Sequence, residues 1–372
     1  MKEIYIILSS QEYDVANHQE LWKEMAKQLQ RNLVVANIPA DYVISIIKGK
    51  KYRIKEAKMP VVYLSPNMVL MRPLLTIRPE IAPSWLHRKL ANQFWEQLKR
   101  EFPEIEDMRV NLLAYNAYWV KLLKGTHPNM RIAYYLFDEV RYNANDNSIN
   151  KKRYEEDEYA CKHSDIILTM TSKLAESRKG LNANRYVIGN GAVIADSNAD
   201  VLKIQRSVAF IGNFRNWIDK ELLRQIVRRK KDVLFAIIGS VEDDMQDYLR
   251  SLLNDFRNIA YFGKVPKTEM TSLYQMFDVV MVPYFQNDFI QATRPIKIVE
   301  AVLAGTPVVT IPMDGYQPSH FIRFATSADE FCKEIDYLLD HPINITGEEY
   351  RNFVCQNTWE SKASKIIEYF KL

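Results

Sequence analysis

Two cations and a carboxylate stand close together late in the chain, in the order Arg294-Pro295-Ile296-Lys297-Ile298-Val299-Glu300. The apolar run Val279–Pro283 ahead of them reads as a buried strand, Pro295 takes the first helical position that proline favours, and Gly305 falls where the helix should stop. The intervening loop would deliver a ligand to a helix N-terminus, whose amide hydrogens and dipole attract phosphate. Arg294 and Lys297 add full positive charge at that end. Glu300 follows Lys297 by three residues on the same face, within reach of a vicinal diol. Two cations for a diphosphate and a carboxylate for a ribose are what a nucleotide-sugar site requires; the plain alternative is a surface Lys–Glu pair at i,i+3.

The elements that must carry these residues follow from the apolar periodicity. Tyr5–Leu8, Leu33–Ala36, Val61–Leu64, Val110–Leu113, Ile132–Leu136, Ile166–Met170 and Tyr186–Ile188 read as buried strands, and His18–Gln30, Pro83–Glu101, Lys152–His163 and Ser172–Lys179 as helices. The small polar stretch 195–200 reads as a linker, after which the rhythm restarts with strands at Ser207–Ile211, Val233–Ile238, Ile259–Phe262, Val279–Pro283 and Val308–Ile311. Helices are expected between them at Lys220–Arg228, Met245–Leu253, Lys267–Met276 and Pro295–Ala304. Unbroken apolar strands alternating with helices imply parallel sheets covered on both faces. The expected architecture is α/β: two Rossmann-like domains, 1–196 and 197–357, facing each other across a cleft, with a last helix at 358–372 packing back on the first.

Composition narrows the function. The 372 residues are 47% hydrophobic and 26% charged, an ordinary globular balance. Three cysteines without a CxxC pair point to thiols in a reducing compartment. The apolar run Ile4–Leu8 is too short for a secretory leader, and no run suffices to cross a bilayer, so a cytoplasmic protein is expected. The net charge of +4 concentrates in the first half, densest at Lys48, Lys50, Lys51, Arg53, Lys55 and Lys58. That run is either a solvated face or a contact with anionic lipid headgroups on the cytoplasmic side. Nucleic-acid binding is not expected, since the basic residues do not interleave with aromatics. Six scattered histidines form no metal-ligand pattern, and GxSxG, GxxxxGK[ST] and GxGxxG are all absent, so no metal or resident cofactor is expected.

The segment Ala292-Thr293-Arg294-Pro295-x-Lys297-x-x-Glu300-Ala301-x-x-Ala304-Gly305-x-Pro307-Val308-Val309 resembles the P-x-K-x-x-E-Y-x-A-x-G-x-P-V-V signature of GT-B glycosyltransferases, in the family-4-like branch that includes teichuronic-acid and exopolysaccharide enzymes. Phe210-Ile211-Gly212-Asn213-Phe214-x-x-Trp217-x-Asp219-x-x-Leu222-Leu223 is similar to that branch's G-x-I-x-x-W-x-D-x-x-L-L. Ala236–Ser240 and Asn258–Pro266 resemble its next two strand-loop units.

The resemblance implies a donor site at Gly212, Asn213, Phe214, Gly239, Ser240, Val265, Tyr284, Arg294, Lys297 and Glu300. Gly212 would let the backbone approach the phosphates or sugar, and Tyr284 would pack on base or ribose unless it is a core tyrosine. Many family-4 enzymes carry a second glutamate eight positions before the first; here that position is Ala292. A cation often follows the first glycine; here Asn213 stands there, leaving Arg294 and Lys297 as the main partners of the diphosphate.

In the first half, Tyr13-Asp14, Met71-Arg72-Pro73 with Ile81-Ala82-Pro83 and Asn92, Tyr134–Glu139 and Asp165–Leu174 resemble the same branch more loosely. Asp138, at the end of a strand, is the preferred general base, with loop anchoring or helix capping as the alternative. Asp14, His18 and Arg72 are the acceptor-site candidates; His18 is otherwise a solvated helix residue, and Arg72 otherwise the partner of a surface acid. The implied reaction passes a sugar from a UDP- or GDP-linked donor to a hydroxyl of a glycan or lipid-linked glycan in surface-polysaccharide synthesis, without a metal. The resemblance leaves open whether the anomeric configuration is retained or inverted. The alternatives are an inactive GT-B-like subunit that binds nucleotide or glycan and, more weakly, a sugar-nucleotide epimerase.

Overall fold

The computed structural model describes every residue except 1, 17, 48, 50–53, 56, 57, 59, 60, 143–147 and 195–200, and at 44 and 267 the backbone alone. The expected linker and most of the basic run, including Lys48, Lys50, Lys51 and Arg53, lie outside the described residues.

The chain falls into two units, Met1–Gly189 with Lys362–Leu372, and Asn190–Ser361. In the first, the strands are β1 (Glu3–Leu8), β2 (Leu33–Ala36), β3 (Ala40–Asp41), β4 (Val62–Ser65), β5 (Met68–Met71), β6 (Leu74–Leu75), β7 (Arg109–Ala114), β8 (Met130–Leu136), β9 (Ile166–Thr169) and β10 (Arg185–Val187). The main sheet runs β10-β9-β8-β7-β1-β2-β5-β4, parallel except for the β4–β5 pair, while β3 and β6 form a separate short ribbon. Its central strands are buried on both faces, which is why they read as unbroken apolar runs.

Two burial expectations fail here, both at sheet edges: Tyr186–Ile188 was expected as a buried strand, yet in edge strand β10 Tyr186 is half-buried and Val187 exposed. Val61–Leu64 was expected as a buried strand, yet β4 is an antiparallel edge strand with all four residues exposed. β5, which follows the Pro66-Asn67 turn, takes the interior place beside β2. The final helix, Trp359–Tyr369, ends in the first unit: Phe370 meets Tyr5 edge-on at 5.6 Å, and Tyr369 stacks on Tyr186 at 3.9 Å.

The second unit contains β11 (Ser207–Ile211), β12 (Leu234–Ile238), β13 (Ile259–Gly263), β14 (Val279–Val282), β15 (Val308–Thr310) and β16 (Ile322–Phe324). All six are parallel, in the order β13-β12-β11-β14-β15-β16. The order reverses between β11 and β14, and ligands of open α/β sheets bind at the carboxyl ends of the strands flanking such a reversal. The helix Ile296–Leu303 follows β14, with Pro295 as its N-cap, one position earlier than expected, and Gly305 past its end at φ +85°.

Candidate functional site: a buried lysine at the strand reversal

Gly212 and Gly239 follow β11 and β12 directly. Both adopt backbone angles closed to other residues, φ +132° and +136°. They also touch: a Cβ on Gly239 would lie 2.0 Å from the Gly212 carbonyl oxygen, and a Cβ on Gly212 would lie 2.7 Å from Lys297 Nζ. The missing side chain of Gly212 thus leaves room for the lysine, and that of Gly239 lets the two turns pack together.

Lys297, in the first turn of Ile296–Leu303, is 7% exposed. Its ammonium donates to Tyr284 Oη at 2.9 Å and sits 4.0 Å from the centre of the Phe210 ring. Burial pushes its pKa down to about 7, against the pull of Glu300 and with further help from Arg215. Pro295, the N-cap residue beside it, makes no side-chain capping bond. A desolvated ammonium next to helix-terminal amides favours an anion strongly, because the anion supplies the countercharge that water no longer does.

Glu300, one turn along, accepts from Tyr274 Oη at 2.8 Å, and Tyr274 is itself fully buried. Asn213 accepts from Ser240 Oγ at 3.1 Å and donates to Glu242 at 3.1 Å. Phe214 sends its backbone N–H to the Ser240 carbonyl, but its ring is fully buried against Phe210, so only its backbone borders the glycines. Tyr284 is likewise buried, with its hydroxyl turned to Lys297. Val265 packs half-buried against the core.

Arg294 parts company with Lys297. Its guanidinium donates to Asn357 at 2.8 Å, lies 4.9 Å from the Tyr316 ring centre and packs on Gly315. Reasoning from sequence missed Arg215, Glu242 and Tyr274. Trp217 marked the loop of Arg215, but which side chains from other elements come near Lys297 and Glu300 depends on loop path and strand order.

In the first unit, Asp138 lies two residues beyond β8, half-buried, its carbonyl accepting from Val140 N–H. The loop it occupies is anchored by its neighbour Glu139, which both Arg141 and Arg178 clamp with paired bonds of 2.7–2.9 Å. Burial acts to raise the Glu139 pKa, but the two guanidiniums prevail and hold it at about 2. Arg178, with no exposed surface, also bonds Asp157, which accepts from Tyr134 Oη.

His18 is buried, not solvated. It forms the N-cap of Gln19–Leu29 and lies between the rings of Tyr115 and Tyr135, 5.4 and 5.5 Å away. Arg72 forms a two-bond pair with Glu12, both at 2.8 Å, and donates to the Ile38 carbonyl. It borders an open cavity of about 940 Å³, as do Asp14, Asn37 and Asn92. Lys58, Lys89 and Arg100 add charge to the cavity wall, and Val61, Leu70 and Met71 give it an apolar side. Among the described residues no cluster of His, Cys, Asp or Glu is arranged to hold a metal, and no helix is long and apolar enough to cross a membrane.

Doubly wound sheets in succession, with glycines of positive φ directly after the first two strands of the second, define a GT-B fold. Residues 205–341, within the second unit, match the family model described as Glycosyl transferases group 1. A curated relative, described as a putative teichuronic acid biosynthesis glycosyltransferase TuaH from Bacillus subtilis, is 26% identical over 168 residues. The match covers 44% of this chain and 42% of that protein, less than half the length of either. Among solved structures, sucrose-phosphate synthase from Thermosynechococcus elongatus superposes with a TM-score of 0.71 at 14% identity, covering 100% of this chain and 98% of its own. HepE from Anabaena, in complex with UDP and glucose, gives 0.68 at 13% identity, with full coverage of both chains.

Proposed function

We propose that the protein is a glycosyltransferase of surface-polysaccharide type, whose second unit binds a nucleotide-diphosphate sugar, UDP- or GDP-linked, and whose first unit binds a glycan or lipid-linked glycan. The observation that carries this reading is Lys297: a buried ammonium between Gly212, Tyr284 and Phe210, at a helix N-terminus and at the strand reversal of a group 1 domain. HepE, a protein of the same fold, is described in complex with UDP and glucose, and this chain's donor is assigned to the same chemical class.

In the reaction, an acceptor hydroxyl oxygen bonds to the anomeric carbon as the bond from that carbon to the diphosphate breaks, the electron pair leaving with the diphosphate. Lys297 and the helix N-terminus stabilise the growing negative charge without calling on a metal. Asp138 takes the acceptor's proton. Glu300, steadied by Tyr274, binds the ribose hydroxyls, and the Gly212–Asn213 and Gly239–Ser240 turns border the phosphates and sugar. The backbone at Val265 reads the base edge.

The cavity bordered by Asp14, Arg72 and Asn92 supports a polyhydroxylated acceptor, since amides, cations and the carboxylates of Asp14, Glu96 and Glu101 share its wall with apolar side chains. Exposed Ile46 and Ile47, with Val62 and Tyr63 on the edge strand, support peripheral contact with an anionic membrane; sedimentation with phosphatidylglycerol vesicles tests that contact.

Thermal-shift screening against UDP-, GDP- and dTDP-sugars tests the donor assignment, because a ligand bound by the native state alone raises the melting temperature. Asp138→Asn should keep donor binding and lose about a hundred-fold or more in turnover, whereas Lys297→Ala should lose binding. A non-catalytic subunit would lose binding with the second and have no turnover to lose with the first.

A further inference from the structure

We propose that Arg215 is the second cation of the donor site, its guanidinium resting on Glu242 and Trp217 until a diphosphate oxygen takes it beside Lys297. This rests on the donor-site reading above and replaces Arg294 in the role that the sequence suggested for it.

The position of Arg215 follows from how its loop is attached. Asp219 N–H donates to the Pro283 carbonyl at 2.9 Å, Phe285 N–H donates to the Trp217 carbonyl at 3.0 Å, and Ile218 bridges to Tyr284. These bonds fasten the segment after β11 to the end of β14, where Tyr284 meets Lys297. Trp217 then lies edge-on to Tyr284 with ring centres 6.2 Å apart, and the Arg215 guanidinium lies 4.4 Å from the centre of the Trp217 ring. A continuous series of contacts, Arg215 to Trp217 to Tyr284 to Lys297, places both cations at the carboxyl ends of β11 and β14.

The electrostatics agree with this placement. Arg215 and Glu300 are the charges that act on Lys297, and Arg215 also acts on Tyr284, whereas Arg294 acts on Tyr316. Two like charges within reach of one another destabilise an empty site, and an anion between them removes that cost. Arg215 also has bonding capacity in hand. One Nη2 bond of 2.8 Å joins it to Glu242, and its buried Nε has no hydrogen-bond partner among the described residues. Glu242 is shared, since it accepts from Asn213 as well, so a phosphate oxygen competes for the guanidinium against a divided carboxylate.

Titration calorimetry on the whole chain with UDP, GDP and dTDP, and with the nucleoside of whichever binds, provides the test. R215Q should weaken the nucleoside diphosphate by about ten-fold or more and leave the nucleoside within about two-fold. R294Q should change diphosphate affinity less than R215Q does, and E242Q, which releases the guanidinium, should tighten it. Unchanged diphosphate affinity in a folded R215Q, or a loss confined to R294Q, overturns the inference while leaving the donor site standing. Should R215Q melt early, R215K takes its place: a single ammonium in place of the fork should lose several-fold, and wild-type affinity would again overturn it. If the wild-type chain binds none of the three diphosphates, the donor-site reading fails and this inference with it.

Discussion

Gly212 and Lys297 fit against each other so closely that the glycine's absent Cβ would lie 2.7 Å from the lysine's nitrogen. The contact joins the end of β11 to the first turn of the helix Ile296–Leu303, so the strand reversal and the charge it presents are one structural feature. Gly239 adds a second layer, packed on the Gly212 carbonyl.

Replacing either glycine by alanine should therefore damage the site from beneath. Gly239→Ala should be the worse, because its Cβ meets backbone at 2.0 Å whereas that of Gly212→Ala meets the movable end of a side chain. Thermal unfolding should rank Gly239→Ala below Gly212→Ala, with diphosphate binding lost in both.

Lys297 predicts a distinctive pH dependence. Its folded pKa of about 7 lies below the value of the unfolded chain, so the unfolded state binds the extra proton between about pH 7 and 10.5, and this group's contribution to stability rises with pH across that window. Lys297→Met should remove the burial cost, stabilising the ligand-free protein by on the order of a few kcal/mol at pH 7 and flattening the dependence. Equilibrium denaturation at pH 7 and pH 9 checks both.

The same lysine should take up a proton when diphosphate binds. At pH 8 the free ammonium is largely deprotonated, and a bound anion restores it, so calorimetry in buffers of different ionisation enthalpy should show uptake of about one proton. An uptake near zero at pH 8 in the wild-type chain would place the titrating group elsewhere.

Arg178 should behave as the keystone of the first unit's buried charges. Arg178→Met strands Asp157 in the interior, leaves Glu139 with Arg141 alone and should cost about 3–5 kcal/mol. Glu139 stabilises the wild-type fold above about pH 4.5, and that contribution is lost as pH falls towards 2, so the mutant should show a weaker acid dependence through this window. Urea titrations from pH 3 to 7 measure both effects.

Arg72→Met should leave donor binding unchanged and raise the KM for an acceptor. The change removes the two-bond pair with Glu12 and with it the cation at the cavity wall. A change in donor affinity instead would move Arg72 out of the acceptor role.

Much of this was legible in the linear chain. Interior parallel strands are apolar on both faces, so β2 and β11 can be read to the residue from composition alone, and Pro295 and Gly305 bracket their helix because proline and glycine obey local backbone rules. The Lys297–Glu300 spacing is equally local, being one turn of helix. Burial at a sheet edge is not local: β4 is as apolar as its neighbours, and only its place beside β5 leaves it exposed. Nor are side-chain partners local. Arg294 and Lys297 are three residues apart, yet Asn357 and Tyr316 draw one away while Tyr284 and Phe210 hold the other. Arg215, eighty-two positions from Lys297, reaches its neighbourhood because parallel pairing sets β11 against β14. Short-range residue chemistry was enough to name the helix end and its lysine; the choice of companions for that lysine came from strand order, because charges interact through space and sequence spacing says nothing of distance beyond one element.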